Sequence, residues 1–290
     1  TGSWALGAKI AAAANHCISV PLGVQSVGPT EFGAWARLVS LVAFSGFVDF
    51  GFGNGAMNLV ASAHGKGRIG EIAAIIHESG RAVIWISLGL AGLVLLGTPW
   101  VSWHRLLGLP IAHAEACRMA STAVLFAIVL AVPLNLATRI QLGLGRGDRS
   151  FRWQVFGQLT TLFLVIQLAR SKGSLPELTA AAVFTPLIAA FANTISLLRD
   201  TPLRSPTRHP GLAKTIRREG LLFFVLQTAA ALAYSADLAL ISAFRGPTVA
   251  GEYAIVQRLF SVVPIGLALV WVPLWPMYRQ ALSAGDHGWV

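Results

Sequence analysis

Apolar residues run along this chain in long stretches broken by short polar connectors, without the strict alternation of a half-buried strand. The stretches fall near residues 5–27, 32–56, 81–101, 116–139, 154–170, 178–198, 219–243 and 249–275. Each is about the 17 to 25 residues that a helix needs to cross a hydrocarbon core. A bilayer admits only helices or closed barrels, because every backbone polar group must be satisfied inside the spanning element. The pattern therefore predicts an all-α, polytopic membrane bundle of eight transmembrane helices.

Composition agrees. Of 290 residues, 55% are hydrophobic and only 12% charged, against about 25% charged in soluble domains. The net charge of +10 would suggest nucleic acid in a soluble protein. Here it reports topology, and no nucleic-acid partner is expected. Alternate connectors differ sharply: one side holds Lys66, Arg68, Arg146, Arg149, Arg152, Arg199, Arg204, Arg208, Lys214, Arg217, Arg218 and Arg279, whereas the other holds Arg105, Arg118, Arg170, Lys172 and Arg245. The positive-inside rule puts the first group and both termini in the cytoplasm. The first run carries Lys9, Asn15 and His16 and leads into another span, so it reads as a helix and not a cleaved leader. Cys17 and Cys117 lie a full helix hairpin apart, both at or within apolar runs; they argue no disulfide framework or metal-ligand spacing and read as packing residues. Residues 199–218 form a basic linker, suited to setting topology and to lying on anionic lipid head groups, at about 1 kcal/mol for each basic residue near the surface.

Two connectors are near copies: GPTEFGAW at 28–35 and GPTVAGEY at 246–253. Their offset is 218 residues. At that offset Lys9, His16 and Ser19, which share one face of the first helix, fall on Gln227, Tyr234 and Asp237, the polar residues on the matching face of the seventh. Arg258 maps three residues from Arg37, onto the same helix face. Internal repeats are a common plan of secondary transporters, with the substrate site between the halves. With six helices per repeat, residues 1–198 form an N-terminal lobe and residues 219–290 the first two helices of a second. A complete version is expected to run to about 430 residues.

The connector GPTEFGAW, the stretch FVDFGFGNGAMNLVASAHGKG at 47–67 and DLALISAFRGPTVAGEYAIVQRLFSVVP at 237–264 resemble the polysaccharide transporter branch of the multidrug, oligosaccharidyl-lipid and polysaccharide exporter superfamily, in particular the O-antigen or exopolysaccharide repeat-unit flippases. The resemblance implies two six-helix lobes forming an inverted V around a cavity and a location in the bacterial inner membrane. It also implies alternating access and an undecaprenyl-pyrophosphate-linked oligosaccharide as substrate, with polymerase and chain-length machinery as partners.

Charges inside spans are costly and normally face a cavity or a partner. Arg37, Arg258, Lys9, His16, Gln227 and Tyr234 are the candidate cavity residues. For Arg37 and Lys9 the competing reading is snorkelling to the interface. Arginine suits a diphosphate because it stays ionised and offers a planar fork of donors. Asp49 and Asp237 are candidates for ion coupling or for ion pairs with arginine. Pro21, Pro133, Pro186, Pro264, Pro273 and Pro276 supply kinks, and Trp4, Trp100, Trp103, Trp271 and Trp275 suit interfacial belts.

Other motifs fail on context. GKGRIG at 65–70 fits GxGxxG but follows a membrane helix, not a strand. RGD at 146–148 lies on the expected cytoplasmic side, and His104 and His113 lack metal spacing. No metal, cofactor or catalytic constellation is expected. Two further readings stay open: a cation-coupled exporter of small molecules or drugs, and a membrane-embedded glycan polymerase or acyltransferase.

Overall fold

A computed structural model describes residues 2–42, 48–201, 211–245, 249, 253, 256, 257, 260, 262–286 and 288. The described residues are almost wholly helical, with no strand among them. The helices are α1 (Gly2–Leu41), α2 (Phe52–Gly65), α3 (Ile69–Gly97), α4 (Trp103–Leu107), α5 (Ala114–Gly143), α6 (Gly147–Arg170), α7 (Leu175–Asp200), α8 (Leu212–Arg245) and α9 (Val262–Ala284). Three helical segments, Ile69–Trp100, Ile111–Gly143 and Leu175–Asp200, are long and apolar enough to cross a membrane. The protein is a multi-pass membrane bundle.

Helix α1 is two arms joined at Gly28, whose φ of 80° and ψ of 164° lie outside any helix. A β-carbon on Gly23 would lie 2.9 Å from the Phe32 ring. In an uninterrupted helix those residues would be about 13 Å apart along the axis, so the chain folds back here. Only glycine adopts this φ without strain, which explains the glycine of the first GPT connector. Most of the second connector lies outside the described residues.

The span expected over 32–56 is broken. Its first part ends α1, and residues 48–51 form a turn in which Phe50 and Gly51 both take positive φ, 49° and 75°. Helix α2 then begins at Phe52. The interruption has a local cause: Asp49 accepts the N–H groups of Gly51 and Gly53, each at 2.9 Å, and so caps a fresh helix start. Other boundaries shift outward. Helix α3 begins at Ile69, twelve residues before the expected 81, and α5 continues four residues beyond the expected 139. Because α7 runs to Asp200 and α8 starts at Leu212, the basic stretch 199–218 is partly helical, with Lys214, Arg217 and Arg218 on α8.

Two buried apolar clusters organise the bundle. One gathers Trp35 and Leu38 of α1, Leu107 and Leu109, Cys117 and Val124 of α5, and Leu175 and Leu178 of α7. The other gathers Val60 of α2, Ile72 and Ile75 of α3, Val132, Leu136 and Ile140 of α5, and Leu197 of α7. Small residues let the helices close up, as membrane packing demands where no water drives apolar contact. Gly157 of α6 packs on Ala189 and Pro186 of α7, and Gly143 of α5 on the Met57 carbonyl of α2.

Helix α2 also carries the contact with α8 and α9. Gly51 and Gly55 lie directly against Gly220 of α8, and Phe50 packs on Phe224 with ring centroids 5.3 Å apart. Further along, the Trp275 indole N–H donates to Asn58 Oδ1 at 3.0 Å, Ser283 donates to Ser62 at 2.9 Å, and Gly65 lies under the Gln280 carbonyl. Trp275, expected in an interfacial belt, is exposed and also makes this polar link between helices.

Candidate substrate cavity

Helices α1, α5, α6 and α7 enclose an open cavity of about 650 Å³, within the size range of small-molecule sites. Helix α1 contributes Ala5, Ala8 and Ala12, whose small side chains leave room beside them for Lys9. On α5 the lining residues Ala127, Ala131, Asn135, Thr138, Arg139 and Leu142 recur at helical spacing, so one stripe of that helix faces the space. Helix α6 adds Ser150, Trp153, Gln154 and Gln158, and α7 adds Pro186, Ala190 and Asn193.

The polar lining is connected across helices. Asn15 donates from Nδ2 to Gln158 Oε1 at 2.7 Å, and Ser19 donates to Asn15 Oδ1 at 2.8 Å, tying α1 to α6. Ser150 donates to Thr138 at 2.8 Å, tying α6 to α5. Asn193 is almost fully buried, yet its Oδ1 has no hydrogen-bond partner among the described residues. Such a group normally costs about 1–3 kcal/mol, which marks it as an acceptor held ready at the cavity wall.

Three charges share this space: Lys9, Asp49 and Arg139. Asp49 and Arg139 both lie beside Gly53, where a β-carbon would meet Asp49 Oδ2 at 2.6 Å and Arg139 Cγ at 3.1 Å. Gly53 is therefore required by the approach of the two charged side chains. With both Asp49 oxygens committed to backbone N–H groups, the carboxylate is fixed in position and Arg139 sits beside a fixed anion. Two cations against one anion leave the cavity net positive.

The sequence candidates divide. Lys9 and Asp49 line the cavity. Arg37 does not: it is exposed and donates from Nη1 to the Leu107 carbonyl at 3.2 Å, at the C-terminal end of α4 beside Gly108. A cation there complements the free carbonyls of a helix end. Gln227 is half-buried on α8 with its Oε1 unpartnered among the described residues, and it is not part of this cavity lining. Arg258 lies outside the described residues, as do the side chains of His16, Tyr234 and Asp237.

Sequence reasoning missed Arg139. It is the last residue of the expected span 116–139, and the extension of α5 to Gly143 draws it inside the helix. Its signal was the polar series Asn135, Thr138, Arg139 at helical spacing. The amides Gln154, Gln158 and Asn193 were also missed, each being a single uncharged residue in an apolar run.

On the face that carries the basic connectors, Arg152 pairs with Asp148 and lies over the Trp4 ring at 5.7 Å, while Arg149 pairs with Asp200. The hydrogen bond from Arg152 holds the Asp148 carboxyl below its ordinary range. No group of three or more His, Cys, Asp or Glu suited to a metal occurs among the described residues.

Among curated proteins, none matches the chain. Several solved structures do. An outward-facing multidrug resistance MATE family transporter of the MOP superfamily is 16% identical, with a TM-score of 0.72, covering 98% of this chain and 62% of that one. A MOP superfamily transporter from Pyrococcus furiosus Vc1, described as having a binding pocket of reverse polarity, gives 16% identity and a TM-score of 0.71 over the same shares, 98% and 62%. An inward-facing MATE family transporter gives 18% identity and a TM-score of 0.60, covering 93% of this chain and 66% of that one. The chain thus spans about three fifths of the length of the first two, and these likenesses concern the fold. The model of the polysaccharide biosynthesis protein family matches residues 2–280, so the chain belongs to that family and carries the helical fold of the MATE and MOP-superfamily transporters.

Proposed function

We propose that the protein is part of an exporter that moves an undecaprenyl-pyrophosphate-linked oligosaccharide from the cytoplasmic to the outer leaflet of the bacterial inner membrane by alternating access. The observation that carries this reading is the joint presence of Lys9 and Arg139, with the single anion Asp49, in a largely apolar cavity whose uncharged polar residues are amides and hydroxyls. A lipid diphosphate brings concentrated negative charge, which the two cations attract and the Arg139 fork can bond in two places. The attached sugars bring many hydroxyls, which Asn135, Gln154, Gln158 and the unpartnered Asn193 oxygen suit as donors and acceptors. The lipid tail stays in hydrocarbon. Membership in a polysaccharide biosynthesis family supports the same substrate class.

In this reading Asp49 is the counter-charge beside Arg139, and the seam formed by α2 with α8 and α9 is where one half of the transporter moves against the other. The test is genetic and uses the full-length gene. Arg139→Gln and Lys9→Gln abolish or strongly reduce surface polysaccharide while the protein still accumulates in the membrane. Normal polysaccharide in the double variant overturns the reading.

A further inference from the structure

We propose that the groove between α6 and α7, on the outer side of the bundle, is a binding site for an anionic phospholipid. The groove has a volume of about 430 Å³ and is lined by Trp153 of α6 and by Ala192, Ile195, Ser196, Arg199 and Asp200 of α7. Its shape follows from the packing. The two helices touch where Gly157 meets Ala189 and Pro186, then part towards the ends that bear Arg149 and Asp200, whose ion pair bridges them again. Between these contacts the helices leave a wedge whose walls are mainly apolar carbon.

The surroundings identify the occupant. Phe156 and Leu159 on α6 and Ile188 and Phe191 on α7 are large apolar side chains more than half exposed, as expected of a surface that faces lipid. The groove ends in charge. Arg199 is exposed and makes no ion pair with any described residue, so its guanidinium stands free at the rim. Asp200, which also lines the groove, is paired with Arg149, so Arg199 leaves a local excess of one positive charge. An acyl chain in the apolar wedge, with its phosphate on Arg199, satisfies both halves of the site. The basic connectors assign this end of α6 and α7 to the cytoplasmic leaflet, where anionic head groups are concentrated.

The site also touches the transport cavity, because Trp153 lines both spaces. Its ring packs edge-on against Phe156, with centroids 6.0 Å apart. A lipid filling the groove holds Trp153 against the cavity wall.

Native mass spectrometry of the full-length protein, titrated with phosphatidylglycerol and, separately, phosphatidylcholine, tests the assignment. The wild type retains phosphatidylglycerol preferentially. Arg199→Gln weakens that binding about fivefold, Arg199→Lys restores most of it, and Ala192→Trp, which fills the wedge, removes it. Arg105→Gln, distant from the groove, leaves it unchanged. Thermal unfolding of each variant in detergent, matching the wild type, certifies that the groove itself was tested. Equal retention of the two lipids, or wild-type phosphatidylglycerol binding by both Arg199→Gln and Ala192→Trp, overturns the proposal. So does one-for-one displacement of phosphatidylglycerol by a polyprenyl diphosphate, which would make the groove a seat for the transported lipid.

Discussion

The Asp49 carboxylate accepts the Gly53 N–H through Oδ2 at 2.9 Å, across a turn that interrupts what would otherwise be one long helix. Its other oxygen accepts the Gly51 N–H, so a single side chain begins α2, stands beside Arg139 and lines the cavity. Asp49→Ala removes both caps and leaves Arg139 without its counter-charge. The expected loss is about 2–4 kcal/mol of stability, read as a lowered thermal midpoint in detergent. Asp49→Asn keeps an acceptor for one N–H and loses less. Equal losses in the two variants would show that charge, not capping, is the larger contribution.

Gly51 and Gly220 face each other where α2 meets α8, yet substitution should affect them very differently. Gly51 has positive φ, and a β-carbon there would strike the Gly220 carbonyl and the Phe224 N–H. Gly51→Ala is expected to cost about 2–4 kcal/mol. A β-carbon on Gly220 would sit at an ordinary 3.5 Å from Phe52, so Gly220→Ala is neutral, or stabilising by up to about 1 kcal/mol through helix propensity. Protease resistance of the two purified variants separates the cases.

The indole-to-amide bond between Trp275 and Asn58 is open to a double-mutant cycle. With Asn58→Leu and Trp275→Phe, a coupling energy of about 0.5–1.5 kcal/mol is expected from thermal or denaturant unfolding. A coupling near zero would mean that the bond adds nothing to the seam.

Arg37 and Arg139 should give opposite phenotypes. Arg37 holds the Leu107 carbonyl outside the cavity, so Arg37→Gln is expected to loosen the short helix α4 by about 1–2 kcal/mol while surface polysaccharide persists. Arg139→Gln is expected to lose polysaccharide with the membrane fold intact. Measuring both thermal stability and surface polysaccharide in each strain distinguishes the two roles.

At Ser174 a capping box starts α7: the Glu177 carboxylate accepts the Ser174 N–H at 2.8 Å and its hydroxyl at 2.9 Å. Ser174→Ala should cost about 1 kcal/mol, again read from the thermal midpoint.

What could be read in the sequence followed from the strength of each signal. Apolar runs announce membrane helices because the bilayer tolerates little else, and the folding back at Gly28 was legible in the GPT connector. The break at Asp49 was harder to see. Its flanks are apolar, and one aspartate among glycines is as consistent with close helix packing as with a helix start. Arg139 escaped because hydropathy ends a span at the first charge, whereas the helix continues until its backbone bonds run out. Lys9 and Asp49 could be nominated as isolated charges in apolar surroundings. Asn193 could not, because the cost of an unpartnered amide appears only once its neighbours are in place.

The seam between α2 and α9 has a reciprocal grammar. Ser62 meets Ser283, and Gly65 meets Gln280. The 218-residue offset between the GPT connectors carries Ser62 onto Gln280 and Gly65 onto Ser283, so each residue touches the counterpart of the other. That exchange is the signature of an isologous contact, in which the same patch serves both partners of a two-fold dimer.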